Sequence, residues 1–268
     1  MKPIEIEALL GWAFREELPK AETDGTGKGG GADWRELGTL IDLSNRWDVV
    51  PDFSGGEPHP DAIVIGRAVK ALDGLAVDLD GVDLLGDPAL ADLDAAERAA
   101  AHADGLARAT APGGLLRSSL AAITVAAVTL RRAPPAPAID GFTRRTVTRS
   151  GKPAWFRIVE RSEGEGRAPM PVEVDGYDHR RQRPHPGAYR KYELDPALGP
   201  VVAERVDYQA WRVGLDLLVE DLAGRLERWQ PTRSAAPRWP WEGEAAAPAA
   251  RVLRPILRKP ILRNPDAA

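Results

Sequence analysis

The chain has no cysteine, and only four histidines and two methionines among its 268 residues. Without thiols there can be no disulfide framework and no thiolate metal site, a composition that fits a reducing cytoplasm. Long apolar runs are missing too. The longest, Leu120 to Leu130, spans 11 residues and includes Thr124 and Thr129, whereas a bilayer-spanning helix needs about 20. Arg117 and Arg131-Arg132 flank it, so it reads as a buried core helix, and no membrane partner is expected. The first residues, MKPIEIEALLGWAFREELPK, carry acids where a signal peptide has a basic region and an apolar run. Complete catalytic motifs are also absent. GTGKGG lacks the first glycine of a phosphate loop, and Gly29 stands where its Ser or Thr belongs. VDLDGVDLLGD lacks the ligand order and closing glutamate of a calcium loop. His59, His102, His179 and His185 have no partner at HxxxH or HExxH spacing, and no GxSxG elbow is present. The sequence therefore offers no catalytic residue, metal ligand or cofactor to name, and it leans away from an enzyme.

Proline and glycine, by contrast, are abundant, with 24 prolines and 26 glycines, about 19% against a usual share of roughly 12%. That surplus argues for several long connections. The net charge of −4 conceals a split. Residues 71–110 hold nine acids against Arg98 and Arg108, while residues 142–192 hold twelve Lys or Arg against six acids. Such asymmetry speaks to partners, or to two halves that pack on each other.

Along the chain, Ile6, Leu9, Leu10, Ala13 and Phe14 form one helical stripe, with Pro19 expected to stop it. TDGTGKGGG (residues 23–31) reads as a flexible loop, and helices are expected at 33–46, 61–72, 93–109 and 115–131. RAPPAPA is a stiff linker. FTRRTVTR, AWFRIVE and PVEVDGYD read as three strands of a meander. In the stretch 201–229, Tyr208, Trp211, Leu215, Leu218, Leu222, Leu226 and Trp229 fall at spacings of 3, 4, 3, 4, 4 and 3, close to a heptad seam. That seam can pack on the helical region or join two copies of the chain. The fold class expected is α+β and mostly α. Its parts are an acidic helical domain over 1–132, a linker over 133–139, a basic antiparallel β-meander and loop over 140–198, a long amphipathic helix over 199–230, and a disordered Pro/Arg/Trp tail over 231–268.

Two segments carry binding chemistry. In DHRRQRPHPGAYRKY, the side chains of Arg180, Arg181, Arg183, Arg190 and Lys191 suit phosphates. Tyr189, with Tyr177 and Tyr192, suits stacking on bases, and Trp155 and Phe156 can extend the platform. The competing reading packs the tyrosines under the loop and pairs the arginines with acids. The end of the chain repeats an apolar pair followed by arginine three times: VLRP, ILRKP, ILRNP. Pro255, Pro260 and Pro265 remove donors and oppose a helix or an interior strand. An extended segment presenting Leu253, Leu257, Arg258, Leu262 and Arg263 to a protein partner is one reading. A merely solubilising tail, or one lying in a groove of its own fold, are the others.

EALLGWAFREELPK, GKPAWFR, GYDHRRQRPHPGAYRKYELDP and APRWPWE together resemble uncharacterised proteins encoded in bacterial prophages, over most of the chain. The resemblance implies a genomic setting and assigns no activity or site residue. The expectation is a cytoplasmic, non-enzymatic accessory protein acting on nucleic acid or a nucleoprotein assembly. An adaptor working through the C-terminal repeat is the alternative, and an enzyme with an unread site is the third.

Overall fold

A computed structural model describes residues 1–22, 57–79, 82–161 and 169–242, together with the backbone of residues 257–258. The Gly-rich loop at 23–31 and the helix expected at 33–46 lie outside the described residues. The chain divides into two compact units, residues 1–139 with 199–268, and residues 140–198. The first is mostly helical and the second is built from short strands, a mostly-α α+β architecture.

In the first unit, β1 (Lys2–Glu5) leads into α1 (Ile6–Trp12). The apolar stripe is buried as its spacing requires: Ile6, Leu9, Leu10, Ala13 and Phe14 are at most 1% exposed. The stop at Pro19 needs correction. Past Trp12 the helix widens to a π turn over Ala13–Glu17 and then tightens to a 3-10 turn over Leu18–Glu22, so Pro19 sits inside the helical path. Widening shifts the hydrogen-bond partners, so the missing proline N–H interrupts no regular ladder.

The helix α2 (Pro60–Ala71) starts with Pro60 at its first turn and with His59 Nδ1 accepting the Asp61 N–H at 3.1 Å. It is followed by β2 (Ala76–Val77) and by α3 (Ala95–Ala109), which begins at a reciprocal capping box between Asp94 and Glu97. The helix α4 (Leu120–Thr129) is the buried apolar run, and no helix among the described residues is long and apolar enough to cross a membrane. Two of the acids of residues 71–110 bond to distant parts of the first unit. Asp73 accepts the Ser119 hydroxyl at 3.0 Å and the Ala121 N–H at 2.9 Å, which starts α4, and Asp87 pairs with Arg205.

The long helix α5 runs Leu198–Leu222. Tyr208, Trp211, Leu215, Leu218 and Leu222 are all 3% exposed or less within the single chain. This seam is core, the packing alternative of the two that its spacing left open. Where α3 crosses α5, a Cβ on Gly105 would lie 2.3 Å from Val202 Cγ1, so only glycine permits the close approach.

The end of α5 and the start of the tail differ from the expected boundaries. The helix stops at Leu222, and the chain turns at Gly224 (φ +70°). It continues as β11 (Trp229–Thr232), parallel to β1, with Lys2 opposite Trp229 and Glu5 opposite Thr232. Asp61 holds this return by accepting the N–H groups of Glu227 and Arg228 at 2.8 and 3.0 Å. Residues 233–242 then run back along α5, so the expectation of a disordered tail from 231 is corrected for residues 231–242, and the rest of it, apart from the backbone of 257–258, lies outside the described residues. The Tyr208 hydroxyl donates to Pro237 C=O, Arg212 Nε donates to Ala236 C=O at 2.9 Å, and Trp241 is 2% exposed. This strap has no periodicity because side chains of α5, and no strand, satisfy its carbonyls.

In the second unit, β3 (Thr143–Thr146) pairs antiparallel with β10 (Tyr192–Asp195), and β4 (Thr148–Arg149) pairs with β5 (Lys152–Pro153). The main hairpin is β6 (Phe156–Arg161) with β7 (Met170–Asp175), and a small one joins β8 (Tyr177–Asp178) to β9 (Arg183–Pro184). The expected three-strand meander is thus corrected: the first strand closes against the last.

Candidate nucleic-acid interface

Phe156 is where the strands of the second unit converge. It stands opposite Asp175 in the main hairpin and is also bridged to Tyr189, each of the two backbone N–H groups donating to the other residue's carbonyl at 2.8 Å. Gly176 makes this crossing possible, because a Cβ there would lie 2.7 Å from the Phe156 backbone. Beside it opens a cleft of about 1020 Å³. Trp155, Phe156 and Tyr177 supply aromatic surface, while Arg149, Lys152 and Arg190 supply positive charge. The Arg190 guanidinium lies 4.7 Å from the centre of the Trp155 ring.

The next hairpin turn, residues 178–183, carries the arginine cluster. Asp178 Oδ1 accepts the N–H groups of Arg180 and Arg181, both at 3.0 Å, and the Gln182 side chain donates to His179 C=O at 2.8 Å. Arg180, Arg181 and Arg183 are exposed. Arg181 has Asp178 at 3.8 Å and the Arg183 charge acts on the same carboxylate, whereas Lys152, Arg180 and Arg190 have no carboxylate within ion-pair distance among the described residues.

Tyr189 and Lys191 are already engaged. The Tyr189 hydroxyl donates to Glu173 Oε2 at 2.6 Å, and Lys191 Nζ donates to Glu173 Oε1 at 2.7 Å. The hydrogen bond from Lys191, followed by that from Tyr189, holds the Glu173 carboxyl below its ordinary value, and the same contact raises Lys191. The Tyr189 ring leans on Phe156, with centroids 6.4 Å apart. Tyr192 is 61% exposed but belongs to β10.

Asp175 accepts the Tyr177 N–H at 2.9 Å and faces His179 and Arg149, both at 3.4 Å. The Tyr177 N–H, with His179 second, lowers its pKa. The cleft is therefore a mixed surface, lined by the acids Glu173 and Asp175 and by the cations Arg149, Lys152 and Arg190. Arg149, Lys152, Glu173 and Asp175 go beyond the sequence-expected set. They come from strands 15 to 41 residues before Arg190, which the strand and turn signals located without showing that they meet at one cleft.

Of the tail residues expected to bind a partner, Leu257 and Arg258 have described backbone, and Leu253, Leu262 and Arg263 lie outside the described residues. Among the described residues no group of three or more His, Asp or Glu is placed to hold a metal ion. Comparison of the chain with protein-family models, curated protein sequences and solved structures finds no match.

Proposed function

We propose that the chain is a non-enzymatic accessory protein whose second unit binds single-stranded nucleic acid, in the phage-related setting that its sequence resemblance implies. One observation carries this reading: Lys152, Arg180 and Arg190, all exposed and without a carboxylate at ion-pair distance among the described residues, stand on or beside a cleft lined by Trp155, Phe156 and Tyr177. Cations follow a phosphate backbone, and aromatic faces stack with any base, at about 1–3 kcal/mol per base. A single strand with unstacked bases uses both features, whereas a duplex uses only the charge.

Fluorescence anisotropy with labelled 20-nucleotide single strands and matching duplexes tests this. Single strands bind more tightly, and Arg180→Ala combined with Arg183→Ala weakens both without changing the ranking of sequences. Trp155→Ala weakens single strands selectively. Equal affinity for duplex and single strand, unchanged in the Trp155 variant, overturns the stacking part of the proposal.

A further inference from the structure

The two-residue strand β2 has two edges, and both are used. On one, Val77 N–H donates to Gly114 C=O at 2.7 Å, and Ala76 is bridged antiparallel to Leu115. Successive residues of a strand turn their N–H and C=O groups to opposite edges, so those of Ala76 face the other side. There the chain brings back its own tail as β12 (Leu257–Arg258), antiparallel, with Arg258 opposite Ala76 and Leu257 opposite Val77. This register makes Ala76–Arg258 the hydrogen-bonded pair and Val77–Leu257 the non-hydrogen-bonded one. Ala76 and Val77 are 2% and 7% exposed. A backbone amide at so buried a position requires a partner.

The proline spacing of the tail suits this pairing. Positions two apart in an extended strand turn their backbone groups to the same edge, so 256 and 260 share the parity of Arg258 in the sequence. A strand continued from Arg258 would lose a paired donor at Pro260, which has no N–H, and none at Pro255, which is of the other parity. The third repeat, Ile261-Leu262-Arg263-Asn264-Pro265, has the same residue types at the same spacing. The first, Val252-Leu253-Arg254-Pro255, has its proline one residue nearer.

We propose that the outer edge of β2 is a strand-docking site for the Val/Ile-Leu-Arg repeat of this chain's own tail, held by the middle copy, with the other two copies as alternative occupants of the same edge. The 14 residues from 243 to 256 span about 45 Å when extended. Three tethered copies raise the effective concentration of the motif at the edge. Backbone pairing supplies the attachment and side-chain type the selectivity, the chemistry of β-strand addition. This inference is independent of the nucleic-acid reading.

Because the chain lacks cysteine, one engineered pair reports the contact. Non-hydrogen-bonded antiparallel partners have Cα atoms about 4.5 Å apart, within disulfide range. Val77→Cys with Leu257→Cys in the full chain forms an intramolecular disulfide on mild oxidation, at least tenfold faster than Val77→Cys with Ala247→Cys. Val77→Cys with Leu262→Cys reacts slowly, and adding Arg258→Pro, which removes the paired N–H, accelerates it severalfold. Equal rates for the Leu257 and Ala247 pairs overturn the docking site. Disulfide-linked dimers in place of intramolecular product overturn occupancy by the chain's own tail. A Leu262 rate indifferent to Arg258→Pro overturns the exchange between repeats.

Discussion

Arg205 donates to Asp87 through both terminal nitrogens, at 2.5 and 2.8 Å, and neither side chain is more than 1% exposed. The same guanidinium donates to Leu84 C=O and Pro137 C=O and lies 4.6 Å from the centre of the Trp241 ring. One side chain on α5 thus ties together the acidic turns, the proline linker and the strap after β11. Asp87 in turn accepts the Ile139 N–H at 2.9 Å, fixing the residue that precedes the second unit.

Removing one partner of a buried ion pair strands the other. Arg205→Met leaves Asp87 charged and buried, and should cost about 3–5 kcal/mol in urea unfolding. Arg205→Met with Asp87→Leu should recover part of that loss. A single-variant cost below about 1 kcal/mol would show that the pair is not the tie described.

The α5 seam is interior. Leu218, 1% exposed, replaced by Ala should lower stability by about 2–5 kcal/mol. Sedimentation of the variant at a temperature where it stays folded should give the wild-type oligomeric state. A change of state at unchanged stability would return the seam to an interface between copies.

Asp207, also on α5, has an oxygen with no hydrogen-bond partner among the described residues, and burial, reinforced by the nearby Glu204 charge, raises its pKa to about 6. A carboxyl raised above its unfolded value binds more protons in the native state between pH 4 and 6. Its contribution therefore favours folding at pH 4 and turns into a penalty as pH rises through 6. Asp207→Asn should raise stability at pH 7.5 by about 1 kcal/mol after allowing for solvent screening, and should change little at pH 4. Thermal melts at the two pH values decide it. Equal effects at both would mean that the charge is not the cause.

Glu173 restrains Lys191 and places negative charge in the cleft. Glu173→Gln removes that charge and loosens its hold on the lysine. Affinity for a single strand at low salt should rise by about threefold. A fall would mean that Glu173 is needed to shape the surface.

What was legible in the residues follows distance along the chain. The stripe from Ile6 to Phe14 and the seam from Tyr208 to Leu222 are local periodicities, and both are buried where their spacing puts them. The pairing of Thr143–Thr146 with Tyr192–Asp195 joins segments about 50 residues apart, and no local pattern announces it. The strap was missed for another reason: its order comes from Tyr208 and Arg212 reaching its carbonyls. Leu226 and Trp229 kept the heptad spacing by coincidence, since the helix ends at Leu222. At the candidate site, Arg180, Arg181 and Arg183 were visible as a cluster. The engagement of Tyr189 and Lys191 by Glu173 was not, because Glu173 lies 16 residues before that tyrosine, on a different strand.

Single-strand binding is proposed to rest on exposed cations beside aromatic surface. Its most direct test is the salt dependence of that binding, compared between the wild type and the Arg180→Ala/Arg183→Ala variant. Each phosphate contact on a single strand contributes about 0.7 to the slope of log K against log salt. The wild type should show a clear negative slope, and the variant a slope shallower by about 1.4, with weaker binding at every salt concentration. Identical slopes for the two proteins, or no binding by the wild type at low salt, would contradict the account.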